Sequence, residues 1–588
     1  MRRARPAVAA ETAPAPAPPR AGGRHARPPP APAAAGSRWS RADTLLLGTL
    51  LAVTAATRLR WASTSLYTVD SVLFALGTED YDVLRLQPHP PGYPVYVALG
   101  WLARHVWTEA NTAFVMVNLG FSLLAVAATY ALARAWGPRS AATVAAGLFT
   151  VAPAFAFNGA VALSYTAEAA ASAGIAWLAW RCWQAPTSAR LAALGAAWGI
   201  AVGIRQSLFL FLAPLVAAAL LDAGARWPGA RQLGRRCLLA GAPAAAAAAA
   251  WFLPMVHLTG GYGAWRRATA LQGSEVVFAD AVWVRGLAAL VEHAQRMRHF
   301  LQWEVAWLLP LLAVAAAVLL VRPLWTPRPR LLPPHASVLA AVWLLPCTLF
   351  YLLVFNGWDL GPLGYILTLL PGVYVLAAIV LVAAGRQAVR WLLPTLRPAA
   401  AVGLALLLAV PAAGLHAESR RLVASEAHAH DRWTEAWSAL PQAFPPEETA
   451  ILVWHSWAHV KWYFPEYLAW TYFPSYRVEG QTDWALFFAM HGRRDEQPFI
   501  EKYAAGPGQP EHPVPGHVRQ VVVFDFQLAG EGAERRLRPE VDVREAWLPN
   551  GWRVLHFAPV EGFGTIEAHF TPDALGAAAT PTAGPSPA

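Results

Sequence analysis

From Leu45 to about His416 the chain runs through long apolar stretches separated by short polar turns. Beyond His416 the pattern changes to short strand-type runs. With the ~20 residues a bilayer-spanning helix needs as a ruler, about eleven spans can be placed. They cover 43–59, 111–134, 140–157, 159–181, 188–204, 206–222, 237–258, 299–321, 336–355, 363–384 and 399–416. Alternate turns are rich in arginine, as at Arg134 and Arg139, Arg181 and Arg190, Arg231 and Arg235, and Arg386 and Arg390. Basic turns stay cytoplasmic, so this pattern places the amino terminus in the cytoplasm. The opposite loops hold the acids Asp70, Glu79, Asp80, Asp82, Glu275, Asp280, Glu292 and Asp359.

One apolar stretch tests that assignment. Tyr93–Trp107 is short for a span, and counting it would move every arginine-rich turn to the other side. It is therefore expected to lie along the outer interface. The first outer loop then covers 60–110, with short interfacial helices at Ser71–Leu84 and Tyr93–His105 on either side of a proline-rich turn. Residues 1–42 read as a basic disordered tail and 43–416 as the membrane domain. Residues 417–570 read as a small α/β domain outside the membrane, with 571–588 a disordered tail. Within the α/β domain, strands are expected at Ala450–Trp454, Val518–Phe526 and Trp552–Phe557, and a helix at Ser456–Phe464.

Composition supports an α-helical polytopic membrane protein. Of 588 residues 56% are hydrophobic and 14% charged, with a mean hydropathy of +0.35. The net charge of +10 does not indicate nucleic acid, because the arginines are spread over tails and loops rather than gathered on one face. Lysine occurs only at Lys461 and Lys502, which suits a GC-rich bacterial genome. Cys182, Cys237 and Cys347 lie in or beside apolar segments without paired spacing, so they are read as packing residues. The chain has no Walker A, dinucleotide-binding glycine pattern or G-x-S-x-G, which weighs against nucleotide-driven pumping and serine hydrolysis.

The candidate chemistry gathers at the expected outer mouth of the bundle. Asp70, beside Ser71, suits a general base or a metal-orienting acid, and it also suits the N-cap of the helix that follows. His89 stands in Gln87-Pro88-His89-Pro90-Pro91-Gly92-Tyr93-Pro94, where four prolines exclude a regular helix and fix the imidazole in place. Glu168 is a carboxylate inside an apolar span, a functional candidate by its cost alone; a buried hydrogen bond is its structural alternative. Arg205, at a turn between spans, matches a phosphate in charge and fork shape, with snorkelling as the competing role. Asp359 sits in a second polar outer turn. His455 and His459 have metal-compatible spacing in a helix but no evident third ligand, so packing or carbohydrate contact is the stronger reading.

The order Asp70-Ser71, then His89-Pro90-Pro91-Gly92-Tyr93-Pro94-Val95-Tyr96, then Asn118 resembles polytopic glycosyltransferases of the GT-C fold. The likeness is to the protein-O-mannosyltransferase-like branch and covers about residues 60–210. Val72-Leu73 stands where that branch often has Gly-Glu, leaving Asp70 as the principal acid. The resemblance implies a polyprenyl-phosphate-linked sugar donor and a protein, lipid or glycan acceptor on the outer face of a bacterial cytoplasmic membrane. Asp70 is the catalytic candidate; His89, Tyr93, Glu168, Arg205 and Asp359 are the substrate-binding candidates. No cofactor is required, and a divalent metal is permitted without being indicated. A transporter or flippase of a polar lipid is the competing class, since it would share the spans, polar cavity and intramembrane charge. A non-catalytic envelope scaffold is the third.

Overall fold

Ser40 and Asp43 form a reciprocal capping box that starts α1 (Arg41–Trp61). This computed structural model describes residues 39–221, 229–321, 331–333, 335–355, 364–391, 394–438, 440–453, 456–473, 486–491, 518–524, 543–547, 553–557 and 566–570. Buried Asp43 also ties α1 to its neighbours, meeting Arg134 at 2.9 Å, Arg139 at 3.2 Å and the Tyr130 hydroxyl at 3.1 Å. At the far end of α1, fully buried Arg58 donates to Thr150 O at 2.9 Å. That carbonyl closes a later helix, so the cation sits where a helix dipole favours it.

The loop after α1 carries the short helices α2 (Val69–Gly77) and α3 (Pro94–Ala103). The bundle continues with α4 (Ala110–Trp136), α5 (Arg139–Thr150), α6 (Pro153–Asn158), α7 (Tyr165–Gln184), α8 (Ser188–Ile204) and α9 (Ser207–Leu221). Then come α10 (Ala230–Leu258), α11 (Tyr262–Gln272), α12 (Val282–Arg285), α13 (Leu287–Val305) and α14 (Leu309–Val321), followed by α15 (Ala336–Leu353) and α16 (Leu370–Trp391). Helix α7 packs on α4, α8 and α9, and α8 packs along α10.

Among the described residues, α1, α4, α10, α15 and α16 are long and apolar enough to cross a membrane, five in all. A sixth is added if α13 and α14, bent by 84° at their junction, count as one. This is a multi-pass α-helical membrane protein. The difference from eleven expected stretches lies in how several of them fold. Stretch 140–157 is divided into α5 and α6 at Pro153, α7 begins only at Tyr165, and α8 and α9 have 17 and 15 residues.

Past α17 (Arg397–Ser425), α18 (Ala427–Trp437) and α19 (Leu440–Ala443) the chain forms a mixed sheet. Its strands are β1 (Thr449–Val453), β2 (Leu468–Phe473), β3 (Leu486–His491), β4 (Gln520–Val523), β5 (Val543–Trp547), β6 (Arg553–Phe557) and β7 (Ile566–Phe570). They lie in the order β3-β2-β1-β4-β7-β6-β5. The pairings within β2-β1-β4-β7 are parallel, and β3, β6 and β5 join antiparallel. Between β1 and β2 runs α20 (Trp457–Tyr463), close to the expected helix. Strands β2, β3, β5 and β7 had no clear signal in the sequence pattern.

The segment leading from α1 to α2 is bolted to α18 and α20. The Asp431 carboxylate accepts from Thr64 N (3.0 Å), Ser65 N (2.9 Å) and Ser65 Oγ (2.6 Å). The Tyr463 hydroxyl accepts from Leu66 N at 3.1 Å, and His459 Nε2 donates to Leu66 O at 2.9 Å. The His430 and His459 rings lie 5.1 Å apart. His459 therefore packs and hydrogen-bonds here, while His455 is outside the described residues.

Burial holds both imidazoles neutral, pushing His430 down to about 4 and His459 to about 3 from 6.5. Between those values and 6.5 the unfolded chain binds more protons than the folded one, so stability rises with pH across that window. The contribution is complete above 6.5 and is lost as pH falls. We expect the melting temperature of detergent-solubilised protein to drop between pH 7 and 4.5, and His459→Gln, which keeps an N–H for Leu66 O, to flatten that drop. An equal slope in both proteins would show that His459 is not the group being titrated.

Candidate active site

Thr68, rather than Asp70, caps α2. Its hydroxyl accepts from Ser71 N at 3.3 Å, and Ser71 Oγ takes Thr68 N at 3.4 Å in return. The expected capping role for Asp70 is thus filled by a neighbour. Asp70 lies in the first turn, with Oδ1 3.5 Å from His89 Nδ1. At that length the contact is electrostatic rather than a hydrogen bond. The helix is also shorter than the expected Ser71–Leu84. It stops at Gly77, where the returning chain leaves little room: a Cβ would lie 3.0 Å from Pro88 Cδ. Residues 71–77 are buried, so α2 is a core helix and not an interfacial one.

The proline-rich turn is held by its carbonyls, which a helix would have satisfied internally. Gly92 O accepts from the Tyr81 hydroxyl at 2.6 Å. Pro91 O accepts from Trp265 Nε1 at 3.1 Å and from Gln206 Nε2 at 3.4 Å. Gly92 has φ +122, and a Cβ there would meet the Tyr81 hydroxyl at 2.6 Å, so only glycine fits. The turn delivers His89 against Tyr93 and Phe74, with ring centroids 4.7 and 5.8 Å away. Burial lowers the His89 imidazole below its ordinary range; the Arg205 charge acts the same way and Asp70 opposes both. A neutral ring offers one N–H and one lone pair.

Arg205, at the C-cap of α8, is turned into the bundle and does not snorkel. Its Nη1 donates to Glu168 Oε1 at 2.7 Å, with the Arg205 side chain 14% exposed and that of Glu168 fully buried. The guanidinium lies 5.1 Å from the centroids of both Tyr165 and Tyr365, resting on a pair of rings that meet edge to face at 5.6 Å. Glu168 Oε1 also accepts from Ser164 Oγ (3.4 Å), and Oε2 from Thr368 Oγ1 (3.3 Å). Because Gln206 follows Arg205, its bond to Pro91 O ties the arginine turn to the histidine turn. The charges of Asp70 and Arg205 both reach His89 and Tyr93.

Five expected residues thus meet in one neighbourhood: Asp70, His89, Tyr93, Glu168 and Arg205. Asp359 lies outside the described residues. Asn118 turns out to organise the backbone. Its amide donates to Val161 O (2.7 Å) and Leu163 O (2.8 Å) and its Oδ1 accepts from the Tyr96 hydroxyl (3.3 Å), setting the segment that precedes Glu168. Thr368 and Trp265 escaped the sequence reading, since a lone threonine or tryptophan in an apolar stretch carries no signal of its partner. Among the described residues no three His, Cys, Asp or Glu side chains cluster as a metal site.

No family model matches this chain, and no curated protein matches its sequence. Similar folds occur among solved structures. ArnT from Cupriavidus metallidurans in the apo state is 16% identical, with 70% of this chain and 81% of that one covered and a TM-score of 0.46. The Archaeoglobus fulgidus oligosaccharyltransferase with zinc and sulfate is 14% identical, covering 71% and 61%, with a TM-score of 0.41. The same enzyme tethered to an acceptor peptide with the NVT sequon gives 14%, 70% and 62%, and 0.40. At these scores and identities the likenesses assign no reaction, substrate or residue to this chain.

Removing one member of a buried ion pair strands the other in a dry site. Glu168→Leu alone is expected to cost about 3–5 kcal/mol, whereas Glu168→Leu with Arg205→Met should recover most of that loss. Thermal melting in detergent, followed by tryptophan fluorescence, compares them. A single variant as stable as the double one would show that the pair does not hold this end of the bundle.

Proposed function

We propose that the chain is a membrane glycosyltransferase that moves a sugar from a polyprenyl-phosphate carrier to an acceptor on the outer face of a bacterial cytoplasmic membrane. The observation that carries this reading is that the Asp70 carboxylate and the Arg205 guanidinium both act on one neighbourhood, that of His89 and Tyr93. It offers a partly exposed carboxylate and an arginine resting on two tyrosines. The acceptor oxygen attacks the anomeric carbon and its proton passes to the Asp70 carboxylate. The bond from that carbon to the phosphate oxygen breaks, and the carrier leaves as its phosphate. Arg205 meets the charge that develops there, with the neutral His89 N–H as a second donor. The donor is already activated, so no nucleotide takes part. The H-P-P-G-Y-P resemblance supports the same reading.

On this reading the membrane domain spans 43–416 behind a cytoplasmic tail of residues 1–42. The domain at 417–570 lies outside, beside the acceptor, with the tail 571–588 beyond it. We also assign Asp359, from the second polar outer turn of the sequence, to substrate binding. In a background lacking the native cysteines, Ser140→Cys should label only from the cytoplasm and Ser456→Cys only from outside. Labelling of both from one side would refute this orientation.

Because Thr68 supplies the cap, Asp70→Asn is expected to leave protein level and melting temperature near wild type. Transfer in a purified assay with matched protein should fall by about a hundredfold or more, the scale of losing general-base help. Near-normal turnover by the Asn variant would remove Asp70 from the chemistry. The donor itself can be named from a deletion strain, where the unused lipid-linked sugar should accumulate.

A further inference from the structure

Glu168 is a carboxylate that could take both arms of the Arg205 fork, yet it takes one. Oε1 accepts from Nη1 at 2.7 Å, while Oε2 faces the other way and accepts from Thr368 Oγ1 at 3.3 Å. A relay of buried groups holds Thr368 in place. Ser172 Oγ donates to Thr368 O at 2.7 Å, and Trp343 Nε1 donates to Ser172 Oγ at 2.7 Å. Thr368, Ser172 and Trp343 are each no more than 2% exposed. The relay therefore runs from α15 through α7 to the tight turn Gly364–Thr368 ahead of α16. That turn also brings Tyr365 to the guanidinium, and Gly364 makes room for it, since a Cβ there would collide with the Tyr165 ring.

We infer that Thr368 is a positioning residue, acting through Glu168 to keep Arg205 available to an anionic phosphate. This rests on the phosphate role proposed for Arg205. Arginine and carboxylate favour a two-pronged pair with parallel N–H···O bonds. Such a pair would occupy the edge of the fork that a phosphate needs. By holding Oε2, the Thr368 hydroxyl keeps the pair single-pronged, so the arginine stays compensated in charge without being saturated. Without that hydroxyl the carboxylate turns toward the guanidinium and competes with the ligand. A glutamine at 168 lacks the charge and the second acceptor oxygen for such a pair, so with Glu168→Gln the hydroxyl becomes unimportant.

Binding of undecaprenyl phosphate to the purified full-length protein in detergent micelles tests this. Arg205→Ala should abolish most binding. Loss of one buried hydrogen bond to a charged group sets the scale: Thr368→Val should weaken affinity about tenfold, and Thr368→Ser should stay within about twofold of wild type. In the Glu168→Gln background, Thr368→Val should make no further difference, an outcome that a merely structural threonine would not give. Wild-type affinity in Thr368→Val with binding lost in Arg205→Ala overturns the inference alone. Wild-type affinity in Arg205→Ala overturns the phosphate reading beneath it. An additive Thr368→Val defect in the Glu168→Gln background also overturns the inference. If the valine variant does not fold, Thr368→Ala against Thr368→Ser makes the same comparison: weak binding by alanine alone supports the inference, and equal binding by the two overturns it.

Discussion

A guanidinium turned into an apolar bundle constrains everything around it. Arg205 cannot shed its charge, and an isolated charge in such surroundings costs several kcal/mol even after relaxation. Glu168 answers that cost from α7, one helix away. The remaining carboxylate lone pairs must then be met as well, which is what Ser164 and Thr368 do. The turn Gly364–Thr368 is thereby fixed on α7, and Tyr365 with it. One buried pair thus sets the relative placement of α7, α8 and the start of α16, an arrangement that apolar packing alone leaves free to slide.

The second constraint is backbone accounting. A turn with prolines at 88, 90, 91 and 94 has lost donors and cannot close helical hydrogen bonds, so its carbonyls need outside partners. Tyr81, Trp265 and Gln206 supply them. These partners come from the same loop, from α11 and from the turn bearing Arg205. The rigidity of His89 therefore comes from side chains far along the sequence as well as from the pyrrolidine rings beside it.

This explains which parts of the site the sequence made legible. Glu168 and Arg205 stood out because a charge within apolar sequence is expensive and needs a reason. His89 stood out because clustered prolines define an irregular segment whatever surrounds it. Asp70 was visible as an acid at a membrane edge, but its relation to α2 was not. Thr68 and Asp70 are both good capping residues, and the reciprocal bond with Ser71 settles the matter in favour of Thr68. Thr368 and Asn118 were opaque in role because their importance lies wholly in what the fold brings to them. The sheet was legible at β1 and β4, where β-branched apolar residues run together, and more weakly at β6. Strands β5 and β7 mix charged with apolar residues, and β2 and β3 are rich in aromatic residues that suit a membrane segment as well as a strand.

The loop carrying Asp70 is held by its own bonds and by contacts from two other parts of the chain. Between Thr64 and Tyr67 its polar groups meet Asp431, Tyr463, His459 and Glu426 from beyond α1–α16, while Ser63 is held by Ala160 O and by Asn111 of α4. The C-terminal contacts end one residue before the Thr68 cap, so the C-terminal region helps set where α2 begins. It thereby contributes to the placement of Asp70 in the first turn. The opposite charge is set separately, by the pair inside the bundle. The distance between acid and arginine is thus the meeting of two frames, joined directly where Gln206 reaches Pro91 O. The acid is held from both sides, since Phe74 of α2 also packs on Tyr96 of α3 and Phe114 of α4. On the proposed chemistry the docked C-terminal region therefore shares with the bundle the work of keeping base and leaving group together.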